Sequence, residues 1–158
     1  MGRTALIVAV KEAEVAVSEL RLLYDPSAPL GVPAHVTVLS PFQDEAEVED
    51  EELGRLFAGF DAFDFILDRI ERFEEGTVWL HPEPSQPFEE LTAAVWQRWP
   101  EHPPYEGIFD DVIPHLTVSA TSIEVAIALP ISARAREVTL IKEGADGHWS
   151  VRRAFALG

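Results

Sequence analysis

A chain of 158 residues with 47% apolar and 25% charged side chains fits one globular domain, residues 1–158, with a core of its own. Its formal charge of −16 excludes the broad basic surface that long nucleic acids need, and the absence of cysteine excludes disulfides and thiolate metal sites. No apolar run approaches the roughly 20 residues that span a bilayer, and Met1-Gly2-Arg3-Thr4 leads into a strand-like run rather than a signal sequence. A cytoplasmic monomer is the default expectation.

Thr4 to Val10 reads as a buried strand, and Lys11 to about Tyr24 as a helix with Ala13, Ala16, Leu20 and Leu23 as its apolar stripe. Asp25-Pro26-Ser27-Ala28-Pro29 ends that helix, and a loop with Gly31 and Pro33 leads into a strand beginning at His35. The acids Asp44, Glu45, Glu47, Glu49, Asp50, Glu51 and Glu52 precede Leu53, Leu56, Phe57 and Phe60 at helical spacing. Carboxylates are favoured at a helix start by its macrodipole, so a solvated helix start explains them without a metal. Phe63, Phe65 and Leu67 alternate as in a strand, and Thr77 to His81 supplies a partner across a turn near Gly76.

Half of the prolines lie between Pro82 and Pro104, a region of loops around one helix. Ser85 is its expected N-cap, Pro87 fits the first turn, and Phe88, Leu91, Val95 and Trp99 are spaced to bury one face. Ile123 to Leu129 reads as a short helix ended by Pro130, although its apolar content also suits a strand. The chain closes with a hairpin, Ala135 to Lys142 and then Trp149 to Leu157. Strand and helix alternate, and the order of the first half is partly echoed after Thr77, as in a duplicated α+β unit.

One pattern occurs twice, 80 positions apart: His35-Val36-Thr37-Val38 and His115-Leu116-Thr117-Val118. Residues two apart in a strand share a face, so each copy sends a His and a Thr one way and two apolar side chains the other. A single copy is what a half-buried strand looks like by accident. Two copies, each beside a proline-bearing loop (Pro33 and Pro114), point to one site made of two halves. Neutral imidazole can take a proton from water while a second, protonated imidazole gives one to a departing oxygen. The Thr hydroxyls can donate to the non-bridging oxygens of a phosphodiester, and the scheme needs neither metal nor cofactor. His81, His102 and His148 have no repeated partner, and no ligand spacing supports a metal site built on them.

HVTVLSPF from His35 to Phe42 and PPYEGIFDDVIPHLTVS from Pro103 to Ser119 resemble the two motifs of the two-histidine phosphoesterase superfamily, the 2′-5′ RNA ligase and cyclic phosphodiesterase-like proteins. The resemblance covers nearly the whole chain, including the helix with Arg21, Tyr24, Asp25 and Pro26. It implies a bilobal α+β fold: two antiparallel sheets related by a pseudo-twofold axis, helices on the outer faces, and a central cleft. It makes His35 and His115 the acid and base, in an order the sequence leaves open, and Thr37 and Thr117 the phosphate-binding hydroxyls. It implies opening of 2′,3′-cyclic nucleotides or related small cyclic phosphodiesters. Ligase-like members often carry a basic residue just after the second motif, where this chain has Ser119-Ala120, so joining RNA ends is the less favoured activity. Tyr105, Phe42 and Phe109 are candidates to stack on a base, with core packing as the competing role for Phe42 and Phe109. The expected partner is a small nucleotide or a short RNA end. A module that binds such a ligand without turnover, and a metal-dependent hydrolase using His81 or His102, are the competing readings.

Overall fold

The computed structural model describes residues 2–108 and 112–158. The apolar runs become β1 (Thr4–Ala9), β2 (His35–Leu39), β3 (Phe63–Arg72), β4 (Val78–Glu83), β5 (Leu116–Ser119), β6 (Ile131–Ala135), β7 (Glu137–Glu143) and β8 (Trp149–Ala156). Between them lie α1 (Glu14–Tyr24), α2 (Asp50–Ala58) and α3 (Gln86–Arg98). No helix among the described residues is long and apolar enough to cross a membrane.

These eight strands join one antiparallel sheet in the order β6-β3-β4-β5-β2-β1-β7-β8. The expected two sheets are therefore one, closed by hydrogen bonding between β2 and β5, where Val36 lies opposite Leu116. The anticipated duplication survives as connectivity: β1-α1-β2 is echoed by β4-α3-β5, with β2 and β5 meeting at the centre of the order. The helices cross over this seam, α1 packing on β5 and α3 on β2.

Period-two alternation sorts the two faces. Leu6, Val8, Val36, Val38, Leu116 and Val118 join the main core with Val17, Leu53, Phe57, Phe88, Leu91 and Val95 from the helices. On the other face of β1 and β7, Ala5, Ile7 and Ile141 pack with Val32 and Trp149 in a smaller cluster. His35, Thr37, His115 and Thr117 share the face turned away from the helices, because each alternates with a fully buried neighbour.

Several local expectations are corrected. Of the expected apolar stripe, Ala13 is buried just before α1 and Leu20 packs on the core, but Ala16 is exposed and Leu23 is 75% exposed; Val17 and Arg21 are buried in their place. Residues 123–129 form neither helix nor ladder; they run irregularly, and Val125, Ile127 and Leu129 pack on the core at a spacing of two. Helical hydrogen bonding there would have turned those three side chains to different directions. A strand before the closing hairpin, β6, pairs with β3 and was hidden by its alternating Ser132 and Arg134. Ser85 does precede α3, yet its side chain makes no capping bond. The acids ahead of α2 and in its first turn are more than solvated: Glu45 meets Lys142 and Arg152, Asp50 meets Arg152 and Arg153, and Glu52 meets Arg55 and Arg98.

Candidate active site

Antiparallel pairing of Val36 with Leu116 sets the neighbours on the opposite face in register, His35 across from Thr117 and Thr37 across from His115. The four side chains thus occupy the corners of a small parallelogram. Each His faces the other strand's Thr, and the two histidines lie on a diagonal, about 7–8 Å apart along the backbone in an ordinary sheet.

Both histidines are held by the same device. His35 Nδ1 lies 2.8 Å from the Pro33 carbonyl oxygen, and His115 Nδ1 lies 2.7 Å from that of Ile113. A carbonyl only accepts, so each Nδ1 carries the proton and Nε2 is the free base of each neutral ring. The acceptor stands two residues back in each case, on the loop delivering the chain into the motif strand.

Their surroundings differ. His35 is pushed down to about 4, by burial first, against the pull of the Pro33 carbonyl, with Arg21 adding to the fall and Asp25 opposing it. Arg21 and Asp25 are 2% and 7% exposed and form an ion pair, Nε to Oδ2, at 3.1 Å. Ser27 completes the group: its amide and hydroxyl donate to Asp25 Oδ1, at 3.1 and 2.9 Å, and Arg21 Nη2 donates to its Oγ at 3.2 Å. His115 is also lowered by burial, while the Ile113 carbonyl and the Glu75 carboxylate act to raise it. Its ring meets Phe73 edge-on at 5.0 Å and Trp79 at 5.9 Å, and those two rings stack at 4.8 Å.

A cavity of about 750 Å³ opens on the β5 side, lined by His115, Thr117, Tyr105, Phe73, Glu75 and Thr77 among others. Tyr105 reaches across to share a hydrogen bond with Thr37, and burial raises its phenol. Its amide donates to the Ser40 carbonyl at 2.7 Å, and Tyr105 and Glu106 both take positive φ, at 51° and 58°, a left-handed pair that brings the phenol back over the sheet. Tyr105 therefore belongs to the cleft. Phe42 does not: it is 5% exposed, edge-on to Trp99 at 5.4 Å and near His102 at 6.0 Å, as core packing requires. Phe109 lies outside the described residues.

His102 stays with Phe42, whereas His81 acquires partners that spacing conceals. At an irregularity in β3 between Leu67 and Arg69, Asp68 turns to within 2.9 Å of His81 Nδ1, and Glu83 follows on the same face of β4. One potential ligand atom from each lies within 4.8 Å of the others. The Arg69 guanidinium already sits 3.3 Å from Asp68, so the carboxylate charge is met from within the sheet. Sequence reasoning missed Phe73, Trp79 and Glu75. The signal available for Glu75 was a turn, Glu75-Gly76-Thr77, in which a carboxylate two residues before an amide can cap it.

The fold is shared with solved structures of low identity. LigT of E. coli, solved with NADP+, superposes with a TM-score of 0.65 at 21% identity, over 98% of this chain and 96% of that one. A structure described as a phosphoesterase gives 0.64 at 20%, over 99% of both chains. TT0787 of Thermus thermophilus gives 0.66 at 19%, over 98% of this chain and 97% of that one. No curated protein matches. The family model described as the 2′-5′ RNA ligase superfamily matches residues 9–154, nearly the whole chain, and the protein belongs to that superfamily.

Proposed function

We propose that this protein hydrolyses 2′,3′-cyclic nucleotides, or related small cyclic phosphodiesters, by acid/base catalysis between two histidines without a metal. The observation that carries this reading is the crossed His-Thr arrangement, in which both rings have Nδ1 fixed on a carbonyl. A phosphate seated between the corners would face both rings and both hydroxyls, with His115 and Thr117 the two of the four that line the cavity.

His35 is the base. Its burial beside Arg21 keeps it neutral, so Nε2 can take a proton from the attacking water. His115 is the acid: burial lowers it too, but the Ile113 carbonyl and the Glu75 carboxylate act against that fall, and no cation among the described residues adds to it as Arg21 does for His35. Water oxygen bonds to phosphorus, the ring P–O bond breaks, and the His115 proton leaves with the released oxygen. Thr37 and Thr117 donate to the non-bridging oxygens as charge gathers there, and the Tyr105 hydroxyl beside Thr37 adds a polar contact. LigT has been solved with 3′-AMP, with phosphate and with ATP, which supports a small phosphorylated ligand for this fold. Ala120 lines the cavity where a basic residue would serve an RNA strand, which favours cleavage of small esters over ligation.

The test is turnover of 2′,3′-cyclic AMP in excess chelator, by the wild-type protein and by His81→Ala. Both are expected to release a nucleoside monophosphate at rates within about two-fold, since neither imidazole Nε2 of the motif pair needs a metal. Saturable binding with no product would establish a binding module instead. Loss of turnover with chelator, or in His81→Ala, would establish the metal-dependent reading.

A further inference from the structure

Among the described residues, the cleft meets a phosphate with hydroxyls and imidazoles and no fixed positive charge. None of those lining the cavity is Lys or Arg, although the chain has 12 of them. Arg21, close enough to act on His35, is spent on Asp25, and Arg72 donates to the Ile123 carbonyl at 2.8 Å. What the cavity does carry is negative: Glu74 and Glu75, on the turn joining β3 to β4.

That turn is built to hold one carboxylate still. The Phe73 amide donates to the Thr77 carbonyl at 2.9 Å, the Gly76 amide donates back to Phe73 at 3.0 Å, and Gly76 takes a φ of 115°, which a side chain would resist. Glu75 Oε2 then accepts from both the amide and the hydroxyl of Thr77, at 2.9 and 3.0 Å. Those bonds hold the carboxyl below its usual range, so it is ionised at neutral pH. Phe73, two residues earlier, packs its ring on His115, which ties the turn to the catalytic imidazole. Glu75 is exposed, but these two bonds keep its carboxylate from swinging away from an anion in the cavity.

We propose that Glu75 is a charge-selecting residue, admitting phosphate groups that carry one negative charge and expelling those that carry two. This rests on the hydrolytic reading for its purpose: a cyclic diester is a monoanion, whereas the monoester made from it loses a further proton near pH 6 and becomes a dianion. Opening the ring therefore changes the ligand from one the cleft accepts into one it rejects. Product leaves, and the reverse reaction, which must begin by binding a dianion, is disfavoured. Substrates bearing a second phosphate near this wall are excluded by the same repulsion.

The test uses binding alone, so it stands apart from turnover. Adenosine 2′-monophosphate and its methyl diester differ by one charge at pH 7.5, and calorimetry gives the ratio of their dissociation constants. The diester is expected to bind about 5- to 10-fold more tightly to the wild-type protein, a preference that shrinks in 0.5 M salt, as screening of an exposed carboxylate requires. Glu75→Gln keeps an acceptor for Thr77 and removes the charge, and should bring the ratio within about two-fold; Glu75→Asp should keep most of it. Equal affinities in the wild type, or an unchanged ratio in Glu75→Gln, would overturn the proposal. If 2′,3′-cyclic AMP is never opened but the ratio still collapses in Glu75→Gln, hydrolysis fails and charge selection stands. If neither ligand binds, both fail.

Discussion

The β2 and β5 halves of the site use one backbone device in two electrostatic settings. In each, a histidine donates from Nδ1 to the carbonyl two residues back, and a threonine stands two residues on. Behind His35 lies the buried Arg21–Asp25–Ser27 group; beside His115 lies an open cavity walled by Phe73 and the anchored Glu75. On the proposed mechanism, geometry repeated and charge varied would let a symmetric pair divide an asymmetric task. A base must stay neutral and an acid must hold its proton, and two identical environments would do neither well.

The comparison breaks first at the imidazoles. His35→Ala and His115→Ala are each expected to lower kcat/KM by about 10³- to 10⁴-fold, because either loss removes proton transfer in the only step that cleaves the ester. Thr37→Val and Thr117→Val should each cost about 10²-fold, by removing one donor to the charge that builds on phosphate. Turnover of 2′,3′-cyclic AMP measures all four. Retention of more than a tenth of the activity in either histidine variant would remove that half from the chemistry.

Why the sequence shows the motif pair so readily and its surroundings so poorly follows from the range of the interactions. A repeated His-x-Thr in strands is local, and alternation alone puts the four side chains on one face. The helix around Phe88, Leu91, Val95 and Trp99 was legible for the same reason, its four residues recurring at helical spacing and all buried. Residues 123–129 misled because a short apolar run carries no period that separates helix from extended chain. That β2 and β5 are neighbours, fusing two expected sheets into one, depends on a contact across 80 positions that no local pattern encodes. The pairing of His81 with Asp68 turns on an irregularity in β3, and Arg21 looks like any surface base in a helix until Asp25 is seen to bury with it.

That burial gives the next largest effect. Arg21→Leu leaves Asp25 charged inside the fold without its counter-ion, hydrogen-bonded by Ser27 alone among the described residues, and should cost about 3–5 kcal/mol in denaturant unfolding. Removing both charges together, Arg21→Leu with Asp25→Leu, should recover much of that loss, since the pair costs desolvation as well as gaining attraction. A double variant as unstable as the single one would mean the two residues act by packing alone.

The smallest effect is the most direct measure of the difference between the halves. The folded-state pKa of His35, about 4, lies below the 6.5 of an ordinary imidazole, so between those values the unfolded chain binds a proton that the folded one refuses. Stability from this group is whole above about pH 6.5 and is lost as pH falls toward 4, by about 3 kcal/mol for a shift of that size. His35→Asn should flatten the acid side of the stability curve. In NMR titration, His115 is expected to gain its proton at a higher pH than His35, though below the ordinary value. For the free enzyme, kcat/KM should then hold down to about pH 4 on the acid side and fall on the alkaline side as His115 loses its proton. If His35 proves the more basic of the two, its burial does not set the roles, and base and acid exchange places.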